Sequence, residues 1–328
     1  MYSLSSIKQL HIEPTNKCNA ACPMCTRTGN KIVENNLSDI SITLFKKAFS
    51  QEFLRQIELI KFCGNLGDPA LAPDLIAIHE YAYESNPNIK FVIHTNGGPR
   101  TAKWWEELGR FYKKTPHSHV QFHIDGLKDT NHIYRANVVF DRVIENALSF
   151  IRAGGVANWV FIPFSHNESQ IAEAEKLAAE YGFAEFAIKV SARYKSAFHY
   201  VDKHGISRKI EPTKDYKIYK DDADIKCSAA ERKELYLDCW GNITPCCWMG
   251  SFDARPFTDT HQLLSASGMV GDDLNIHHKS LADIVNSTFI QHTIPNGWKN
   301  DSIKVCSEHC KGSKVHHWII NGEVRPQR

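Results

Sequence analysis

The chain has 328 residues, 39 of them Lys or Arg and 37 Asp or Glu, for a formal net charge of +2. So even a balance excludes the long-range field that would select nucleic acid or an anionic membrane as partner. No run of about 18 apolar residues occurs, and the opening MYSLSSIKQLHIEP lacks the features of a signal peptide, so a cytoplasmic protein is expected. At roughly 150 residues per domain the length predicts about two units.

From residue 7 to about 193, short β-type runs alternate with amphipathic helical ones, the pattern of a parallel α/β architecture. The predicted strands are Ile7–Glu13, Ile57–Cys63, Ile89–Thr95, His119–Asp125, Val156–Pro163 and Glu185–Ser191. The predicted helices are Ser41–Leu54, Pro73–Ser85, Ala102–Tyr112, Asp141–Ala153 and Glu168–Tyr181. Several strands alternate strictly. Gln9, His11 and Glu13 share one face of the first, and His119, Gln121, His123 and Asp125 one face of the fourth. Lys189, Ser191 and Arg193 do the same in the sixth. A polar inner face predicts a partial (β/α)6 TIM-type barrel with a wet, ligand-holding lumen. The competing reading is a set of edge strands with one solvated side.

Residues 1–200 are assigned to this barrel and 201–226 to a charged linker; residues 227–328 form a small cysteine-rich domain. In the last, Glu234–Cys239 and Asn242–Pro245 predict a hairpin around Gly241, and Leu281–Phe289 a short helix. The stretch 250–280 reads as loop.

Ten cysteines are many for a reducing compartment, where close spacings point to metal or catalysis rather than disulfides. Cys18, Cys22 and Cys25 are packed at the end of the first strand in HIEPTNKCNAACPMCTRTGN. Three thiolates on one loop can bind three corners of an iron–sulfur cubane and leave one iron open, as substrate-binding chemistry requires. A structural zinc knuckle would want a fourth nearby ligand. Cys63 reads as a buried strand residue, and His94 and His123 as lumen hydrogen-bonding groups or proton carriers.

This spacing at the end of a first barrel strand resembles the radical SAM family, and the likeness continues down the chain. Cys63-Gly64-Asn65-Leu66-Gly67-Asp68-Pro69 resembles the family's Gly-Gly-Glu-Pro segment. His94-Thr95-Asn96-Gly97 and Asp125-Gly126-Leu127, with Arg135 ten residues beyond Asp125, follow the third and fourth strands. The resemblance implies a [4Fe–4S] cluster on Cys18, Cys22 and Cys25, with S-adenosylmethionine on the open iron. The cofactor-binding set it implies is Met24, Gly64, Asn65, Gly67, Asp68, Thr95, Asn96, His123, Asp125 and Arg135. Met24 stands where the family often has an aromatic residue near adenine, and Asp68 replaces the usual glutamate with a reach shorter by one methylene.

The later Cys227-x13-Gly241-x4-Cys246 resembles the opening of a SPASM or twitch auxiliary-cluster region. With Cys306 and Cys310 it implies one auxiliary [4Fe–4S] cluster on Cys227, Cys246, Cys306 and Cys310. Zinc on four thiolates, and Cys239 or Cys247 as substitute ligands, stay open. The implied function is reductive cleavage of S-adenosylmethionine to a 5′-deoxyadenosyl radical that abstracts hydrogen from a polar substrate. That substrate is a peptide or protein side chain, or alternatively a small polar molecule such as a sugar undergoing dehydrogenation or rearrangement. A flavodoxin- or ferredoxin-type electron donor is implied as partner. The non-enzymatic alternative is a metal-binding interaction protein, and no catalytic acid or base can be named from the sequence.

Overall fold

A computed structural model describes residues 2–115, 117–189, 196–202, 205–213, 216–220, 224–255, 258–312, 314–320 and 323–326. At 216–220, 314–320 and 323–326 only the backbone is described. Strands β1 (Gln9–Ile12), β2 (Leu59–Phe62), β3 (Lys90–Thr95), β4 (His119–His123), β5 (Ala157–Phe161) and β6 (Glu185–Ile188) pair in parallel in chain order. Helices join them, so the α/β partial barrel read from the alternating pattern is what the chain forms. Ser191 and Arg193, expected on the lumen side of the sixth strand, lie outside the described residues.

Side-chain alternation places the core. Val120 and Phe122 of β4 are fully buried toward the helices, while His119, Gln121 and His123 are half-buried on the inner face. Phe122 packs on Trp105 and Phe150, which come from the helices Ala102–Tyr112 and Phe140–Arg152. Stretch 41–54, expected as one helix, is two. The Ser41 hydroxyl caps Ile42–Ala48, and the Ser50 hydroxyl, accepting from Phe53 N at 3.2 Å, starts Gln51–Leu54 afresh.

At the start of the charged stretch read as a linker, and within it, the described residues contain strands. The strands β7 (Phe198–Val201) and β8 (Ser207–Ile210) make an antiparallel hairpin, and β9 (Tyr216–Lys220) joins a separate sheet. Ser207, Arg208 and Lys209 of β8 are exposed and only Ile210 is buried, so this strand shows no period in the sequence. Region 250–280, read as loop, contains the helix Thr260–Ala266 and short turns at Phe252–Ala254 and Gly271–Leu274. The predicted short helix is present at Leu281–Val285.

The hairpin around Gly241 forms as β10 (Glu234–Leu237) and β11 (Ile243–Thr244), with Gly241 at φ +93°. A left-handed turn of this kind favours glycine. Its placement is the unexpected part: β10 pairs in parallel with β1, Gln9 beside Glu234 and Ile12 beside Leu237. The cysteine-rich region thereby extends the barrel sheet to eight strands in the order β11-β10-β1-β2-β3-β4-β5-β6. Strands β12 (Lys314–Ile320) and β13 (Glu323–Pro326) add to β9 in the smaller sheet. Among the described residues no helix is long and apolar enough to cross a membrane.

His79 sits in this core against Phe62, Phe91, Phe111 and Tyr112. Its Nδ1 meets Leu75 O at 2.8 Å and its Nε2 the Tyr112 hydroxyl at 3.1 Å. Burial pushes its pKa down to about 4. A depressed pKa for a base means that the folded state resists protonation the unfolded chain accepts. Its stabilising share is therefore present above pH 6.5 and lost as pH falls from 6.5 toward 4. His79→Phe should remove roughly 3 kcal/mol of this acid sensitivity, read from denaturant melts at pH 7 and pH 4.5.

Candidate active site

The carboxyl ends of all six parallel strands deliver residues to one cavity of about 360 Å³. After β1 come Cys18, Cys22 and Cys25; after β2, Cys63, Gly64, Asn65, Leu66, Gly67 and Asp68. The later strands add His94, Thr95 and Asn96, then His123, then Ile162, then Lys189. Such gathering at strand ends is the barrel's usual way of building a site from loops.

The three cysteines are held by a compact loop. Cys25 N donates to Cys22 O at 3.0 Å, and Ala21 N to Ala136 O at 2.9 Å, tying the loop beside Arg135. Burial, then the Asp68 charge, pushes the Cys18 thiol up to about 12; burial also raises Cys22, against the nearby Arg135. Among the described residues no three His, Cys, Asp or Glu side chains close on one ion. A cubane asks for a different geometry, in which each thiolate binds its own iron.

The glycine segment is pressed onto the end of β1. A Cβ on Gly67 would lie 1.8 Å from Thr15 O, and one on Gly64 2.3 Å from Gly67 O, so both positions exclude side chains. Beneath the segment lies Glu13, fully buried. Its Oε1 accepts from Leu66 N at 2.6 Å and Gly67 N at 3.1 Å, and its Oε2 from the Ser251 hydroxyl at 3.0 Å and from the Tyr236 hydroxyl. Glu13, expected on the polar, ligand-holding inner face of the first strand, has its oxygens committed to framework donors instead. Asn65 is similarly engaged, its amide donating to Tyr236 Oη at 3.1 Å and Cys247 O at 2.9 Å.

Asp68 lies at the cavity wall, 3% exposed. It accepts from Ala70 N at 3.0 Å, Asn96 N at 2.8 Å and the Thr95 hydroxyl at 2.9 Å. Burial raises its pKa, opposed by the Asn96 and Thr95 hydrogen bonds. Arg135 donates from Nε to Asp125 Oδ2 at 2.6 Å, and its Nη1 lies 3.8 Å from Cys22 Sγ. Burial alone would lower the guanidinium pKa, but the Asp125 carboxylate, then Cys22, raise it. Asn96 Nδ2 donates to Asn19 Oδ1 at 2.9 Å and lies 3.8 Å from Cys18 Sγ. His94 Nδ1 and His123 Nε2 are 3.2 Å apart. Burial depresses both imidazoles, aided at His94 by Lys189 and at His123 by Arg135.

Of the residues expected to hold the cofactor, Gly64, Asn65, Gly67, Asp68, Thr95, Asn96, His123 and Arg135 line this cavity with the three cysteines. Asp125 stands behind Arg135 rather than on the wall, and Met24 packs against the core. Cys63, expected as a buried strand residue, follows β2 and lines the cavity. Tyr134, Ile162 and Trp248 were not anticipated. Trp248 follows Cys246 and Cys247, and its ring stacks on His309 at 3.6 Å. Its adjacency to those cysteines was the one signal available.

In the C-terminal region, Cys306 and Cys310 lie one turn apart on the helix Lys304–Cys310, and Lys226 N donates to Cys310 O at 3.0 Å beside Cys227. Cys246 lies in the electrostatic field of Cys247, Cys227 and Cys306, and Cys306 in that of Cys310 and Cys227. Cys239 has Glu13 and Asp238 as its neighbours and stands apart. Cys247 lies in the field of Lys61 and Cys63.

The chain belongs to the Radical SAM superfamily, whose family model matches residues 12–178. No curated protein sequence matches it. Among solved structures it is similar to Streptococcus suis SuiB bound to S-adenosylmethionine, at 15% identity and a TM-score of 0.53 over 75% of this chain and 61% of that one. SuiB bound to its precursor peptide SuiA gives 16% identity and a TM-score of 0.57 over 94% and 71% of the two chains. Native anSMEcpe with bound AdoMet and the Cp18Cys peptide gives 13% identity and 0.55 over 94% and 88%. The chain therefore spans about three fifths of the S-adenosylmethionine-bound SuiB chain. Membership implies S-adenosylmethionine and one [4Fe–4S] cluster as cofactors.

The clash at Gly67 makes a direct prediction. Gly67→Ala should destabilise the fold by roughly 1–3 kcal/mol, as overpacking does, and displace the segment from Thr15. Thermal and denaturant melts read the first effect, and loss of S-adenosylmethionine binding the second.

Proposed function

We propose that the chain is a radical SAM enzyme that modifies or oxidises a peptide or protein side chain, with its radical cluster on Cys18, Cys22 and Cys25. The observation that carries this reading is the meeting of those three cysteines with Asp68, Asn96 and Arg135 in one cavity. When bound, the reduced cluster and S-adenosylmethionine supply a 5′-deoxyadenosyl radical for hydrogen abstraction; this chemistry is the cofactors' own. The chain's residues bind and orient. Asp68, fixed by Thr95 and Asn96, takes the methionyl amine, and Arg135, anchored by Asp125, takes its carboxylate. Gly64 and Gly67 keep the wall free of side chains beside the ligand.

A peptide substrate is favoured because SuiB and anSMEcpe, which share the fold, were each crystallised with a peptide. A flavodoxin- or ferredoxin-type protein is the proposed electron donor. We further assign one auxiliary [4Fe–4S] cluster to Cys227, Cys246, Cys306 and Cys310. The mutual electrostatic contact of Cys227, Cys246 and Cys306 supports it, as does the position of Cys310 one turn from Cys306. The Cys239 thiol has Glu13 and Asp238 as its neighbours, whereas Cys247 is also a neighbour of Cys246 and stays the substitute ligand.

After anaerobic reconstitution, reduction with dithionite in the presence of S-adenosylmethionine should release 5′-deoxyadenosine. Replacing Cys18, Cys22 and Cys25 by Ala should abolish that release. Undiminished release from the triple variant would show that another site carries the chemistry, and none from the wild type would favour a metal-binding interaction protein.

Iron counting tests the second site. Two cubanes imply about eight irons per chain. The Cys306→Ala, Cys310→Ala variant should lose about half of them yet still form 5′-deoxyadenosine. Stoichiometric zinc in the anaerobically prepared wild type would overturn the auxiliary-cluster assignment.

A further inference from the structure

Of two buried donors close to the second cysteine group, one lacks any acceptor and the other has only a thiol. The Tyr2 side chain is 4% exposed, and its hydroxyl has no hydrogen-bond partner. Trp298 Nε1 is also buried, and its one partner is the weakly accepting Cys306 thiol, outside normal hydrogen-bond geometry. Such atoms are rare in folded proteins, because a buried donor that loses water and gains nothing is costly. Tyr2 is held firmly all the same: its carbonyl accepts from Gln291 Nε2 at 2.6 Å.

The surroundings of both donors are sulfur. The foremost ionisable neighbours of the Tyr2 hydroxyl are Cys227 and Cys246, ahead of Glu234 and Arg232. The Trp298 indole faces Cys306 from the helix Ile294–Lys299. No thiol completes a hydrogen bond with the Tyr2 hydroxyl, and the Cys306 thiol gives Trp298 Nε1 only a weak one. An acceptor lying among the thiols would satisfy the Tyr2 hydroxyl, and a cluster-bound Cys306 sulfur would strengthen the Trp298 bond. A zinc ion brings no acceptor of its own, whereas a cubane carries inorganic sulfides within its ring of thiolates.

We propose that the Tyr2 hydroxyl and the Trp298 indole N–H donate hydrogen bonds to sulfur of the cluster held by Cys227, Cys246, Cys306 and Cys310, and so make that cluster easier to reduce. The inference rests on the auxiliary-cluster reading above. Its physical basis is that reduction adds negative charge to the cluster, and a fixed donor stabilises the more negative state. Both residues act through the cluster, so they are tuning residues and touch no substrate.

The test uses the full chain with Cys18, Cys22 and Cys25 replaced by Ala, reconstituted anaerobically, so that the auxiliary cluster alone gives a signal. Metal content comes first. If that variant holds zinc or no iron, the auxiliary-cluster reading itself fails and takes the inference with it. With iron bound, Tyr2→Phe and Trp298→Phe should each move the midpoint potential to more negative values in an EPR-monitored titration, with iron content unchanged. Tyr81→Phe is the control, since the Tyr81 hydroxyl donates to Phe49 O at 3.3 Å in the helix layer outside the barrel. Its midpoint should match that of the parent. Retained iron with an unmoved midpoint in Tyr2→Phe would overturn the proposal while leaving the auxiliary cluster standing.

Discussion

The architecture of the site depends on one buried carboxylate. Glu13 is fully buried at the end of β1, where an ionised carboxyl group without partners would cost several kcal/mol. Burial raises its pKa, and the hydrogen bonds from Tyr236, Leu66, Ser251 and Gly67 oppose that rise. Hydrogen bonds to a charged group are worth about 1.5–3 kcal/mol each, so the donors can offset the desolvation. What matters is where they come from. Leu66 and Gly67 belong to the glycine segment after β2, while Tyr236 and Ser251 belong to the cysteine-rich region more than 200 positions away. One side chain thus registers the cofactor-side loop against the C-terminal region.

The same joint is reinforced on both sides. Tyr236 also accepts from Asn65, whose amide reaches Cys247 O, and Asp238 caps the hairpin turn through Asn242 N at 2.9 Å while accepting from Ser251 N at 3.2 Å. The parallel pairing of β10 with β1 adds a backbone ladder to these side-chain contacts. Trp248, leaving this joint, becomes a wall of the cavity and stacks on His309, next to Cys310. The two cysteine groups are therefore connected by packed structure rather than by a flexible tether.

Within the cavity the charges are arranged so that few are idle. Asp125 neutralises Arg135 and is itself held by Ile162 N at 2.6 Å, which fixes the guanidinium beside Cys22. Asp68 is fixed by backbone and hydroxyl donors alone, which leaves its charge available to a cationic ligand group. The His94 and His123 rings, on adjacent strands β3 and β4 and with pKa values lowered by burial and by Lys189 and Arg135, form a hydrogen-bonded pair on the lumen wall.

The sequence by itself determined the repeating strand–helix order, the polar inner face of β4 and the local cluster loop. Each of these is a short-range pattern: alternation marks a strand with two different faces, and Cys18, Cys22 and Cys25 lie on one turn-rich segment. It failed where exposed charge masked alternation, as in β8, and where a second cap split one helical stretch at Ser50. Only the tertiary structure decided what Glu13 does. By sequence Glu13 is one more polar residue on the inner face of a strand; in three dimensions its oxygens are taken by donors from two distant segments. Only the fold could place β10 against β1, or bring Trp248 to the cavity, because strand pairing and wall contacts join residues with no local signal in common. Local periodicity writes the elements, and long-range hydrogen bonding and burial choose their neighbours.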